Sequence, residues 1–221
     1  LHDICLIMRL ILNTDFQMQA LNEAYLANLY QQDNNELLNT RKALIESFAD
    51  DCVAGFYDVL LVSGSTKKFI TTQLVEEHLK EELKAWLLLT FSPKNSEAEI
   101  QKVIDKQHLV GQVHARIEVP MSLVNSAMQV IKDVLFHRIR ETGQLNAEEK
   151  LELIILLNKL IDASLSLVNE CYLEDKVSIE RAAQEYRSNT SAHEIAIELE
   201  RVKGSMLGWM GQFMTDIITG K

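Results

Sequence analysis

Residues 107–120 read QHLVGQVHARIEVP and place a histidine within an apolar helical face. Side chains recur around His114 at steps of three and four residues, which is the spacing of one buried face of a helix. Pro120 forces a helix boundary downstream. The pattern predicts a helix over about residues 96–117 with His114 pointing inward. The predicted inward face consists of Val103, Gln107, Val110, His114 and Ile117.

Two polar residues in apolar surroundings are candidates for a functional site. A buried imidazole must find partners for its ring nitrogens or lose roughly 1 to 3 kcal/mol. For His114, a haem iron is one such partner and a backbone carbonyl is another, and spacing alone favours the carbonyl. Tyr57 lies beside Phe56 and Leu60 in an apolar helix, and a buried phenol also needs a hydrogen-bond partner. Spacing alone again favours a core tyrosine that is bonded to the backbone.

The chain as a whole has a helical composition. Two prolines and eight glycines in 221 residues leave long uninterrupted segments, and 47% of the residues are hydrophobic, which is enough for a sizeable core. Ser96 with Glu99, and Asn146 with Glu149, have the spacing of capping boxes. These features predict an all-α protein with a helical connector at its C-terminal end. The predicted helices cover about 3–30, 36–62, 72–91, 96–117, 121–141 and 146–175.

Charge, cysteine content and motifs exclude several classes of function. A net charge of -10 without a long run of lysine or arginine argues against a nucleic-acid partner. The apolar segment 1–12 contains charged residues and is shorter than the roughly 20 residues needed to cross a bilayer, so we expect no membrane association. Cys5, Cys52 and Cys171 lack metal-ligand spacing and favour a reducing compartment, the cytoplasm. Nucleotide-binding, hydrolase and zinc motifs are absent from the sequence, so we expect no catalytic activity in this chain.

The stretch 107–120 resembles the F helix and the following corner of the globin-coupled sensors, whose pattern is V-H-A-R-I-G-(I/V)-P. The pair Phe56-Tyr57 resembles the F-Y pair of that family. Residues 74–80, LVEEHLK, are similar to its distal helix, which here ends near Trp86. The resemblance implies a globin fold with an extra N-terminal helix. It also implies that the fold holds haem b and that His114 is the iron ligand.

The resemblance also implies roles for individual residues. Tyr57 is expected to donate a hydrogen bond to bound oxygen, and Leu79 is expected to shield the ligand; carbon monoxide and nitric oxide are further expected ligands. Glu118 stands where the family pattern has glycine, and a non-glycine residue adopts the left-handed conformation of a helix end less readily. The remaining residues expected to line the haem pocket are Phe56, Leu60, Phe69, Leu83, Val110, Val113, Ile117 and Val124.

We expect three parts along the chain. They are an N-terminal helical extension at 1–33, the sensor globin domain at 34–175, and a linker with the start of a middle signalling region at 176–221. In the last part, residues 205–209, SMLGW, are similar to the region that links such globins to diguanylate cyclase domains. The resemblance implies a C-terminal output domain beyond this chain. We expect the parent protein to be a diguanylate cyclase that makes cyclic di-GMP, with a kinase or a methyl-accepting module as the alternative outputs.

The helices at 121–141 and 146–175 look like the paired helices through which these sensors form a homodimer, joined as a four-helix bundle. Their apolar stripes are more extensive than one hairpin packed on a globin needs. The alternative function is a haem-free, globin-like dimer that transmits signals by binding partners, and a ferric haem spectrum distinguishes the two. The residues expected at the dimer interface are Leu123, Met128, Ile131, Leu135, Leu153, Leu157, Leu160 and Leu167.

Overall fold

The computed structural model describes residues 18–62, 79–189 and 192–219, and every regular element in these ranges is a helix. The predicted all-α class is confirmed. The predicted helical segments before residue 18 and at 72–78 lie outside the described residues. No helix within the described ranges is long and apolar enough to cross a membrane. The helices are α1 (18–28), α2 (Gln32–Val62), α3 (Lys80–Phe91), α4 (Glu97–Arg116), α5 (Met121–Glu141), α6 (Ala147–Asn189) and α7 (Ala192–Thr219).

Two helices begin at the capping residues that the sequence predicts. At α4, the Ser96 side chain accepts the N–H of Glu99 at 3.3 Å, and the Glu99 carboxylate accepts the N–H of Asn95 at 2.7 Å. At α6, the Asn146 side chain accepts the N–H of Glu149 at 3.0 Å, and the Glu149 carboxylate accepts the N–H of Asn146 at 2.8 Å. These bonds satisfy N–H groups that the first turn of a helix leaves free. Local sequence therefore determines where both helices start.

Helix α2 is central to the larger core, because it packs against both α3 and α5. Gly55 allows α5 to approach closely: a Cβ atom at this position would lie 2.9 Å from Cγ2 of Val134. At the surface, the ammonium of Lys84 on α3 lies 2.6 Å from the carboxylate of Asp50 on α2. Exposed ion pairs of this kind contribute little to stability. Burial of apolar side chains therefore holds these helices together.

Helix α4 crosses α6 at a second glycine, Gly111. A Cβ atom here would lie 2.4 Å from the carbonyl oxygen of Val168 and 2.9 Å from Cβ of Cys171. Close-packed interiors do not accommodate contacts this short, so the absence of a side chain lets the two backbones meet. Gly111 lies one turn before His114, and the crossing therefore anchors the end of α4 that carries the histidine.

The corner after α4 is closed by the hydrogen bonds of a Schellman motif. The N–H of Val119 donates to the carbonyl of His114 at 3.0 Å, and the N–H of Glu118 donates to the carbonyl of Ala115 at 3.1 Å. Glu118 has a φ of 58°. The glutamate thus adopts the left-handed conformation that glycine takes more easily, at a cost of about 1 to 2 kcal/mol.

Most residues expected at the dimer interface lie inside the chain instead. Six of them are at most 1% exposed and belong to the large core, while Leu123 and Met128 are partly buried against it. Placing the six core residues at an interface is therefore wrong, since their apolar spacing reflects packing within one chain, whereas an interface role for Leu123 and Met128 stays a prediction. The six core residues are Ile131, Leu135, Leu153, Leu157, Leu160 and Leu167.

The chain divides into two compact units between Leu173 and Glu174. Helix α6 continues past this boundary, and α7 belongs to the second unit. Within the second unit, the rings of Trp209 and Phe213 stack with their centroids 5.0 Å apart. The described residues of the candidate site all belong to the first unit.

We predict that Gly111→Ala lowers the free energy of unfolding by about 1 to 3 kcal/mol, the range typical of overpacking. The added methyl group would meet the backbone of α6, which cannot rotate away. Gly143→Ala is the matched control, because a Cβ atom there has nothing within 4 Å. Urea unfolding of both variants measures the difference, and equal midpoints for the two would show that α4 does not depend on this crossing.

Candidate functional site

The imidazole of His114 is held by the backbone of its own helix. It lies in the last turn of α4 and is partly buried. Its Nδ1 atom is 2.7 Å from the carbonyl oxygen of Val110. With the proton on Nδ1, the ring donates to this carbonyl and leaves the lone pair of Nε2 available. Nε2 has no hydrogen-bond partner among the described residues.

Burial keeps this imidazole neutral. Desolvation lowers the pKa of His114 below its usual value, and the hydrogen bond to Val110 opposes that shift only in part. At pH 7 the ring is therefore uncharged, which is the protonation state in which a histidine binds a metal. The carbonyl partner that spacing favoured is present, yet it occupies only one of the two ring nitrogens.

Most residues expected to line a haem pocket belong to two apolar clusters. Val110 packs against both of them and so lies between the two. Val113 is partly buried on α4, and Phe69 lies outside the described residues. The larger cluster contains Phe56, Tyr57, Leu60, Leu79 and Leu83. The smaller cluster contains Ile117 and Val124.

The hydroxyl of Tyr57 has a backbone partner. It donates to the carbonyl of Leu79 at 2.9 Å, and the ring packs edge-on against Phe56 with centroids 4.9 Å apart. Burial, aided by the nearby Glu82 carboxylate, raises the pKa of Tyr57 above its usual range. The phenol therefore stays protonated and remains a hydrogen-bond donor. This is the backbone-bonded tyrosine that spacing favoured, and it ties α2 to the residue that precedes α3.

One buried polar pair was not predicted from the sequence. The indole N–H of Trp86 on α3 donates to Oε1 of Gln107 on α4 at 2.8 Å. Gln107 is 0% exposed, and its Nε2 has no acceptor among the described residues, which costs about 1 to 3 kcal/mol. The available signal was the position of Gln107 as a second polar residue on the apolar face of His114.

The residues around His114 fit a haem. In a haem of the globin type, the porphyrin supplies four nitrogen ligands to the iron, and one imidazole of the protein supplies the fifth. The free Nε2 of a neutral His114 is such a donor. Val110 and Ile117 share its helix face, and such apolar side chains suit the porphyrin body. Nδ1–H bonded to a carbonyl is also the usual way in which a ligating histidine is oriented.

Comparisons with known proteins place the chain in a family. It matches the family described as Protoglobin over residues 14–178. Diguanylate cyclase DosC of Shigella flexneri is 26% identical over 154 residues, which are 70% of this chain and 40% of that protein. DosC of Escherichia coli strain K12 has the same identity over the same length, which is 33% of that protein. The chain thus spans two fifths or less of these relatives.

The solved structures agree with the predicted fold. The ferric globin domain of E. coli DosC superposes with a TM-score of 0.60 at 21% identity, covering 66% of this chain and 97% of that domain. The globin domain of a Geobacter sulfurreducens globin-coupled sensor gives a TM-score of 0.58 at 24% identity, covering 67% of this chain and 95% of that domain. The globin fold is confirmed. The family match over residues 14–178 covers most of the chain, which is therefore a member of the Protoglobin family.

Proposed function

We propose that this chain is a haem-based gas sensor domain in which Nε2 of His114 binds the iron of haem b. The observation that carries the proposal is the hydrogen bonding of the imidazole: Nδ1 is bonded to the carbonyl oxygen of Val110, while Nε2 has no partner among the described residues. Membership of a globin family, which implies haem binding, supports it. We take the sensed gas to be oxygen, with carbon monoxide and nitric oxide as further ligands.

The side chains of this site have distinct tasks in the proposal. Bound haem supplies an iron atom with one position for a diatomic gas. The Val110 carbonyl fixes the tautomer and orientation of His114. The Tyr57 hydroxyl donates to the gas ligand, for which it must leave or share the Leu79 carbonyl. Leu79 keeps water from the ligand. We assign the pocket wall to Phe56, Leu60, Phe69, Leu83, Val110, Val113, Ile117 and Val124.

We further propose that the domain regulates a C-terminal output domain. The relatives that support this are named diguanylate cyclases, so the output we propose is synthesis of cyclic di-GMP. In this proposal the segment 1–33 is an extension, 34–175 the sensor globin, and 176–221 the linker to the output. The buried thiol of Cys52 is compatible with a reducing compartment, and we propose the cytoplasm.

We propose a homodimer formed through α5 and α6, but with surface residues different from the buried stripes. Leu151 and Ile155 lie one turn apart on α6 and are 59% and 45% exposed. Two large apolar side chains on one exposed helix face favour a partner surface. These residues replace the core positions that sequence spacing suggested.

A haem-free signalling module is the second candidate. The observation that favours it is that His114 and Tyr57 each already have a backbone hydrogen bond, so part of the site is satisfied without a cofactor. Adding haemin to the purified chain separates the two functions. A stoichiometric absorption change supports the sensor, whereas free haemin alongside folded protein supports the module.

We predict that His114→Ala greatly accelerates loss of haem, because the iron loses its protein bond. The effect should exceed the about 10- to 100-fold loss typical of removing an outer-shell partner of a metal ligand. His108→Ala is the control, since Nε2 of His108 lies 3.2 Å from Glu23 on α1. Transfer of haem to an acceptor protein measures the rates. A normal five-coordinate ferrous spectrum for His114→Ala would refute the assignment.

We predict that Tyr57→Phe accelerates oxygen dissociation about tenfold, because a hydrogen bond to a strongly polarised acceptor contributes about 1.5 kcal/mol. Carbon monoxide binding should change little. Tyr30→Phe is a matched control, since that buried hydroxyl also donates to a backbone carbonyl, Thr90 O, at 2.7 Å. Stopped-flow kinetics on both variants provides the test. Unchanged oxygen release in Tyr57→Phe would mean that the hydroxyl stays on Leu79.

We predict that Ile155→Glu converts the dimer to a monomer at micromolar concentration, because a charge would be buried at the proposed interface. Val59→Glu is the control, since Val59 is a 51% exposed apolar residue on α2. Sedimentation velocity measures the masses. A dimer that persists in Ile155→Glu would place the interface elsewhere.

A further inference from the structure

The Trp86–Gln107 hydrogen bond joins α3 to α4. The donor and acceptor atoms are 2.8 Å apart, and both side chains are buried. The neighbour of Gln107, Lys106, also reaches α3, where its ammonium lies 3.1 Å from the carboxylate of Glu82. These polar contacts between the two helices therefore lie at residues 106 and 107 of α4.

Leu79 and His114 are each seven residues along the chain from one partner of this hydrogen bond. Leu79 precedes Trp86 by seven residues, and His114 follows Gln107 by seven. Seven residues are close to two helical turns, so each pair shares one helix face and is separated by about 10.5 Å along the axis. A change in how α3 and α4 cross at the Trp86–Gln107 bond would therefore change the distance between Leu79 and His114.

The amide group of Gln107 argues for a positional role. Its Nε2 is buried without an acceptor among the described residues, and an unmet donor of this kind lowers stability. A leucine would fill a similar volume without that unmet donor, but it would leave the buried indole N–H of Trp86 without its acceptor. Only a side chain with an acceptor, however, can bind the indole N–H in a defined direction. The glutamine therefore gives the contact between the two helices a defined direction, which an apolar pair would not.

We propose that Gln107 is a positioning residue for the haem. Its bond to Trp86 fixes α4 against α3, so that Nε2 of His114 stands at the distance from Leu79 that the cofactor requires. One further contact supports this arrangement, since the absence of a side chain at Gly111 lets α4 pack against α6. The inference rests on the proposed haem function. It states that the buried Trp86–Gln107 hydrogen bond sets the distance between Leu79 and His114.

A double-mutant cycle on the full 221-residue chain separates positioning from stability. The variants are Trp86→Phe, Gln107→Leu and the two combined, with Lys106→Met as a control that removes only the neighbouring surface ion pair. Two quantities are measured for each variant: the urea midpoint of the haem-free chain and the rate of haem loss after loading with haemin.

Each single variant should lose haem about 10- to 100-fold faster, the range typical of outer-shell partners of metal ligands. The double variant removes both polar groups and should regain part of the midpoint that the single variants lose, with the cavity left by Trp86→Phe limiting the recovery, yet it should lose haem as fast as the single variants. If the double variant recovered both its urea midpoint and the parent rate of haem loss, the proposal would be overturned, because a purely structural role predicts that the two recover together. Haem loss at the parent rate in the single variants would also overturn it, while the haem function would stand. A parent chain that takes up no haemin would refute the proposed function and this inference together.

Discussion

The hydrogen bond between Nδ1 of His114 and the carbonyl of Val110 constrains the rest of the site. A desolvated imidazole that donates through one nitrogen presents a lone pair at the other, and it does so in a fixed direction. The surrounding backbone maintains that arrangement on both sides. Gly111 brings α4 against α6 one turn earlier, and the N–H of Val119 binds the carbonyl of His114 one turn later. The proposed ligand atom is thus held by the backbone at the end of one helix.

Much of the fold could be predicted because the relevant interactions are local in sequence. Capping boxes at Ser96 and Asn146 involve residues three apart, and the structure confirms both. Most residues of the apolar stripes are buried, but periodicity does not indicate which partner covers a face. Leu157 was therefore assigned to a dimer interface although it lies in the core of its own chain. Long-range packing, rather than helix formation, decided that error.

In the candidate site too, features within one helix could be predicted, whereas contacts between helices could not. His114 and Tyr57 stood out because each is a polar residue within an apolar helix face. The Trp86–Gln107 bond was missed, since its two residues lie on different helices and spacing within one helix cannot pair them. The family pattern has glycine at the position of Glu118, yet the backbone there keeps the left-handed conformation. Hydrogen bonds around the corner and packing beside it can therefore impose a conformation that residue type disfavours.

The central claim is that Nε2 of His114 is the protein ligand of a haem iron. Resonance Raman spectroscopy of the chain loaded with haemin and reduced with dithionite tests it most directly. Our account predicts an iron–histidine stretching band, typical of a five-coordinate ferrous haem with a neutral imidazole ligand. A reduced, haem-loaded chain that lacks this band would contradict the account.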